Sequence, residues 1–285
     1  MPKVAERPTP ARVRGSLAFT VESCLKSDPD ADMFWMQTSL VDLRWGDRPN
    51  PAADLRGRMK QVRERAHACS DADGLGEFRR WMMAGAAPAM SLVLLVPDRD
   101  PESFERVKVT LMALLENTWR RVALLAVVAR DPSSWGDLLA VAPSVIRIVH
   151  SGDGPGQLEV AANAMFLACA SLHSQVLLTC TDYEDIDACL GDAGAPGRLV
   201  IADWNAESQQ LHVEPSDAAA LQASSRAFVA PLWPDATMRS LSSLSREIRH
   251  LGGRHRDLVV SASTEFFNGS DSPPRSSMVV VACRP

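Results

Sequence analysis

The chain has 285 residues, 46% of them hydrophobic and 23% charged, which fits a globular protein with room for one large domain or two smaller ones. A formal net charge of −5 and a pI near 5.7 exclude a nucleic-acid binder of the usual kind, which presents a basic stripe. Arginines gather within Arg56–Arg65 and Arg246–Arg256 without interleaved aromatic residues, so both runs read as solvated helix faces.

Residues 1–16 are rich in Pro and Arg and lack the apolar segment of a secretory signal. Between Leu17 and Trp45 lie apolar clusters such as MFWMQTSLVDLRW, which follow no assignable period. Helices are predicted over Pro51–Ala68 and Gly76–Met83, split by a Ser-Asp turn. The small-residue stretch Ala84–Ala89 then marks a boundary. A mainly helical accessory region over 1–88 is expected before it, and a single α/β domain over 89–285 after it.

From Met90 the pattern sharpens. Ser91–Val96 is a continuous apolar run of strand length, stopped by PDRDP. A helix follows, with Phe104, Val107, Leu111, Leu114 and Leu115 at helical spacing. Arg121–Ala129 is a second buried strand, WGDLLAVAP a short helix, and VIRIVH a third strand. After the Gly-rich SGDGPGQ come a helix, LEVAANAMFLACASL, and a predicted fourth strand, QVLLTC. Met278–Ala282 offers a last strand. Strands alternating with helices imply a mostly parallel sheet covered on both faces. Ligands of such sheets collect beyond the carboxyl ends of the strands. Those ends here read PDRD, RDPSS, HSGDG and TDYED.

No stretch reaches the ~18 apolar residues of a spanning helix. Cys24, Cys69, Cys169, Cys180, Cys189 and Cys283 form no CxxC pair, as expected of buried thiols in a reducing cytoplasm. SGDGPGQ lacks both the GK[ST] ending and GxGxxG spacing, and reads better as a connector than as a phosphate loop. No HExxH or GxSxG motif is present.

In collinear order, EFRRWMMAGAAPAMSLVLLVPDRDPESFERVKVTLMALLENTW, AVVARDPSS, LEVAANAMFLACASLHSQVLL, DYEDIDACLGDAGAPGRLVIADWNAES and LSREIRHLGGRHRDL resemble the family 2 glycosyltransferases, inverting enzymes of the GT-A fold. The resemblance runs from about Gly76 to Phe267, although AVVARDPSS keeps only Asp131 of the family's Asp pair, Leu95 replaces the usual Pro of the first strand end, and the metal motif and the base also depart. Thr179, Cys180 and Thr181 stand where the metal-binding Asp-x-Asp belongs; alternatively TCTDYEDID matches a later acidic stretch and the motif is missing. The base that follows the LGGF-like segment has only Glu265 in range.

The resemblance implies a nucleotide-sugar donor held by Pro97, Asp98, Asp131 and Asn163. It implies a divalent cation, Mg or Mn, on Asp182, Glu184 and Asp185, with Glu265 as the catalytic base. It also implies a glycan or lipid-linked acceptor, surface-polysaccharide synthesis and a protein partner completing the acceptor site, with no nucleic acid bound. The alternatives are an inactive GT-A-like scaffolding subunit and an unrelated α/β nucleotide-binding protein. Each residue also has a structural reading: Asp98 and Asp100 suit a helix start, Asp131 a turn, and Asp182–Asp187 a solvated loop.

Overall fold

An unbroken apolar strand needs cover on both faces, because its side chains alternate from one side of the sheet to the other. The computed structural model meets that need; it describes residues 12–13, 16–25, 34–44, 48–49, 63–69, 89–115, 122–142, 145–154, 156–172, 177–179, 181–191, 196–205, 208–233, 236–251, 257–262 and 276–282.

The strands are β1 (Arg12–Val13), β2 (Ser16–Leu25), β3 (Phe34–Asp42), β4 (Arg48–Pro49), β5 (Arg63–Cys69), β6 (Ala89–Leu95), β7 (Val122–Ala129), β8 (Ile146–His150), β9 (Gly197–Asn205), β10 (Gln210–His212), β11 (Arg226–Pro231), β12 (Asp257–Val260) and β13 (Ser276–Ala282). Interleaved with them are helices α1 (Pro101–Leu115), α2 (Gln157–Ser171), α3 (Tyr183–Leu190), α4 (Pro215–Ala223) and α5 (Met238–Leu251), and a 3-10 helix over Pro132–Ala140. β1 and β4 form a small ribbon, and the others build one 11-stranded sheet in the order β12-β11-β13-β9-β8-β7-β6-β3-β2-β5, with β10 on β9.

β3, β6, β7, β8 and β9 pair in parallel. β13 is antiparallel to both of its neighbours, β9 and β11. On one face, Val93, Leu95, Ala126, Val128, Val149, Leu199 and Phe228 pack on α2 and α3. On the other, Leu92, Leu94, Leu125, Val127 and Ile148 pack on α1 and the 3-10 helix. That second face continues over β9 and β11, where Val200, Ala202 and Val229 meet Leu221 of α4 and Leu244 and Ile248 of α5. The class is therefore α/β, a mostly parallel sheet with helices on both faces. The central helix α2 is buried along most of its length, as its nearly uniform run of Ala, Leu, Met and Phe requires.

The expectations for the first 88 residues change. Arg63–Ala68, the last part of the predicted helix Pro51–Ala68, belongs to strand β5 (Arg63–Cys69), paired antiparallel to β2. The described residues of the unassigned stretch include β2 (Ser16–Leu25) and β3 (Phe34–Asp42), and β3 joins the parallel sheet through β6. The predicted helix Gly76–Met83 lies outside the described residues. Of QVLLTC, the described residues 177–179 form no strand element, and β9 takes the place beside β8.

Candidate functional site

The carboxyl ends of β3, β6, β7 and β8 lie side by side, with Asp42 in register with Leu95 and Ala129 with His150. A charged cluster starts from β3. Asp42, 1% exposed, holds Arg44 through Oδ1 to Nε at 3.0 Å and Oδ2 to Nη2 at 3.1 Å. Arg44 Nη1 reaches Glu159 Oε1, in the first turn of α2, at 2.5 Å. Burial opposes the guanidinium charge, but its bonds to Asp42 and Glu159 outweigh that and raise its pKa. For Glu159 burial likewise pulls upward, and the bond from Arg44 reverses it, leaving a lowered pKa. The cluster ties the sheet edge to the start of the central helix.

The neighbouring loops add charge of both signs. Asp98 pairs with Arg130 at 3.1 Å. Arg99 lies over the Phe104 ring, bonds the Ser134 carbonyl and reaches Asp137 at 2.9 Å. Asp100 starts α1: its carboxylate accepts from Ser103 Oγ and from the Glu102 and Ser103 amides, and the Ser103 hydroxyl lowers its pKa. Asp131 caps the 3-10 helix, accepting from the Ser133 amide and hydroxyl, and the hydroxyl lowers its pKa too. After β8, His150 faces Asp153 at 3.3 Å. The loop then turns through Gly152 (φ 86) and Gly156 (φ 74), left-handed conformations that favour glycine. Gly156 is the N-cap of α2, and no side chain caps that helix start.

The second acidic group stands apart from this edge. Asp182 caps α3 by accepting from the Glu184 and Asp185 amides, and Asp185 accepts from the Asp182 amide in return, a reciprocal capping box. Asp187 reaches Arg147 at 2.9 Å, yet burial outweighs the arginine and raises its pKa. Tyr183, the first residue of α3, points inward: its hydroxyl lies 3.5 Å from Thr38 Oγ1. Thr38 Oγ1 is in turn 3.4 Å from Ser91 Oγ. α3 packs in the face that holds α2, whereas the 3-10 helix capped by Asp131 packs in the opposite one.

Of the residues singled out in the sequence, Pro97, Asp98 and Asp131 thus stand at one edge. Asn163 sits in α2, ~9 Å along the axis from its first residue. Asp182, Glu184 and Asp185 belong to the start of α3, on the other side of the sheet from Asp131's helix. Glu265 lies outside the described residues. Among the described residues no group of three or more His, Cys, Asp or Glu is arranged to hold a metal ion. The sequence did not point to Asp42, Arg44 or Glu159. The only signal for them was a charged pair within VDLRW, just past an apolar cluster.

No family model and no curated protein matches the chain. Two solved structures similar to it are an FtsZ dimer from M. jannaschii and CetZ from Methanosaeta thermophila. The first has 10% identity and a TM-score of 0.44 over 75% of this chain and 68% of that one. The second has 10% identity and a TM-score of 0.36 over 76% of this chain and 58% of that one. At TM-scores below 0.5 neither supplies a fold or a function for this chain.

These findings correct the family expectation. No family model matches, that of the family 2 enzymes included, and the two solved structures named above are FtsZ and CetZ, not glycosyltransferases. The GT-A fold, the sugar transfer in surface-polysaccharide synthesis and the inactive scaffolding variant go with it, as do the nucleotide-sugar donor, the glycan or lipid-linked acceptor and the partner completing an acceptor site. Physically, the DYEDID stretch that carried much of the resemblance is a self-capped helix start. Short acidic and apolar segments in α/β order recur in unrelated proteins for reasons of capping and burial. Among the described residues no helix is long and apolar enough to cross a membrane.

Proposed function

We propose that the chain is a ligand-binding α/β protein whose ligand is a phosphate-bearing small molecule, a nucleotide by class, carried with a divalent cation. The observation behind this reading is the Gly-rich loop between β8 and the buried helix α2. Its glycines at positive φ and its helix start without a side-chain cap present backbone N–H groups of the kind that cradle phosphate. Arg44 follows β3 and Arg130 follows β7, the strands on either side of β6. The acids of the same edge, Asp98, Asp131 and Asp153, suit a ligand whose charge is partly offset by Mg²⁺, which takes few protein carboxylates and keeps phosphate and water ligands.

The test is thermal unfolding with ATP, GTP or pyrophosphate, with and without Mg²⁺, against adenosine and guanosine. A ligand at a hundred times its Kd stabilises the native state by about 2.7 kcal/mol. The expected result is a dose-dependent rise in Tm with the phosphate compounds, none with the nucleosides, and a reduced rise in Arg130→Glu. A flat response to every phosphate compound, or equal shifts with nucleosides, would overturn the reading.

A further inference from the structure

Helix α5 has two dissimilar faces. Leu241, Leu244 and Ile248 are buried, holding the helix to the second face of the sheet. Arg239, Ser242, Arg246, Arg249 and His250 are exposed, and the first four recur at the three- and four-residue steps that place them along one line of the helix, with His250 one turn beyond Arg246. Among the described residues Arg239, Arg246 and Arg249 enter no ion pair, although most other arginines there do. Met238, 61% exposed, stands at the start of the row.

We propose that this face is a docking surface for an acidic helix of a partner protein. The row from Arg239 to Arg249 spans ~15 Å of helix axis and is straight, so its natural complement is another helix with carboxylates at seven-residue spacing. Ser242 and Ser245, small and set among the arginines, allow such a helix to approach, and Met238 gives its end an apolar contact. The chain as a whole carries −5, so a long polyanion would meet repulsion beyond the row, whereas a short acidic segment meets three exposed arginines against one half-buried acid of the helix, Glu247. A membrane is disfavoured because the helix already spends its apolar side on the core.

The probe is a labelled alanine-rich helical peptide with glutamates at seven-residue spacing, titrated with the full chain by fluorescence anisotropy. Duplex DNA and phosphatidylserine vesicles serve as parallel arms. The expected result is saturable peptide binding that weakens at least about tenfold when salt rises from about 50 mM to about 300 mM. It weakens at least about tenfold in the Arg246→Glu/Arg249→Glu double variant too, with DNA and vesicles bound more weakly than the peptide. Both substitutions are at exposed positions, and circular dichroism checks that the variant keeps its fold. The inference is overturned if the peptide fails to bind, if the double variant binds it as well as the parent, or if DNA or vesicles bind at least as tightly.

Discussion

At the scale of single residues, Asp42 and Arg44 form a largely buried ion pair. Asp42 is 1% exposed and Arg44 14%, and truncating Arg44 takes the opposing charge from a buried carboxylate while leaving its bond from the residue 44 amide. Arg44→Ala is therefore expected to destabilise the fold by about 3–5 kcal/mol, read as a lower urea midpoint. Glu159 sets a pH dependence. Its folded pKa is lowered from 4.5, so its ionised form favours the native state. That contribution is whole above the unfolded value and is lost as pH falls through the folded one. Glu159→Gln is expected to flatten the loss of stability below about pH 4.5, measured by denaturant titration at stepped pH. Asp187 has the opposite sign: its raised pKa means that protonation on acidification favours the folded form. Thiol labelling offers another check. Burial pushes Cys169 up to about 12 and Cys189 up to about 11, so neither is expected to react with a thiolate-seeking reagent until the protein unfolds.

At the scale of elements, Gly156 is the sensitive point. It sits at φ 74, and nothing lies within 4 Å of where a Cβ would be. Gly156→Ala is thus expected to cost about 1–2 kcal/mol from backbone conformation alone, again read from the urea midpoint. The strands and helices from Ser91 to Leu172 were legible because their apolar runs are long and their breaks carry Pro, Gly or Asp. β5 was not, because RERAHAC is composed largely of good helix formers and becomes a strand only through its pairing with β2. QVLLTC failed in the other direction. An apolar run of that length does not reveal its own structure, and α2 hands the chain to α3 before the next strand. The acidic groups were visible as such, but their roles as caps depend on amide positions that only the folded backbone supplies. The Asp42–Arg44–Glu159 cluster joins residues separated by 115 positions, beyond the reach of local pattern.

At the scale of the whole molecule, charge and topology carry the remaining expectations. Among the described residues the carboxyl edge mixes acids with arginines that are already paired, whereas α5 displays arginines that are not, so the proposed ligand and the proposed partner would address different elements. Topology singles out β13. It lies between β9 and β11 and is antiparallel to both, so without it the pair β11–β12 has no strand of the main sheet to join. Deleting residues 276–285 is expected to abolish a single cooperative urea transition and to shift the protein to large aggregates in size-exclusion chromatography, because it opens unpaired edges inside the sheet.

During synthesis this arrangement imposes a waiting time. The strand that joins the two parts of the sheet follows β9, β11 and β12 in the chain, so β9 and β11 each emerge from the ribosome with a bare flank. They keep it until Ser276–Ala282 clears the exit tunnel. A nascent chain stalled short of Ser276 is therefore the form most in need of a chaperone.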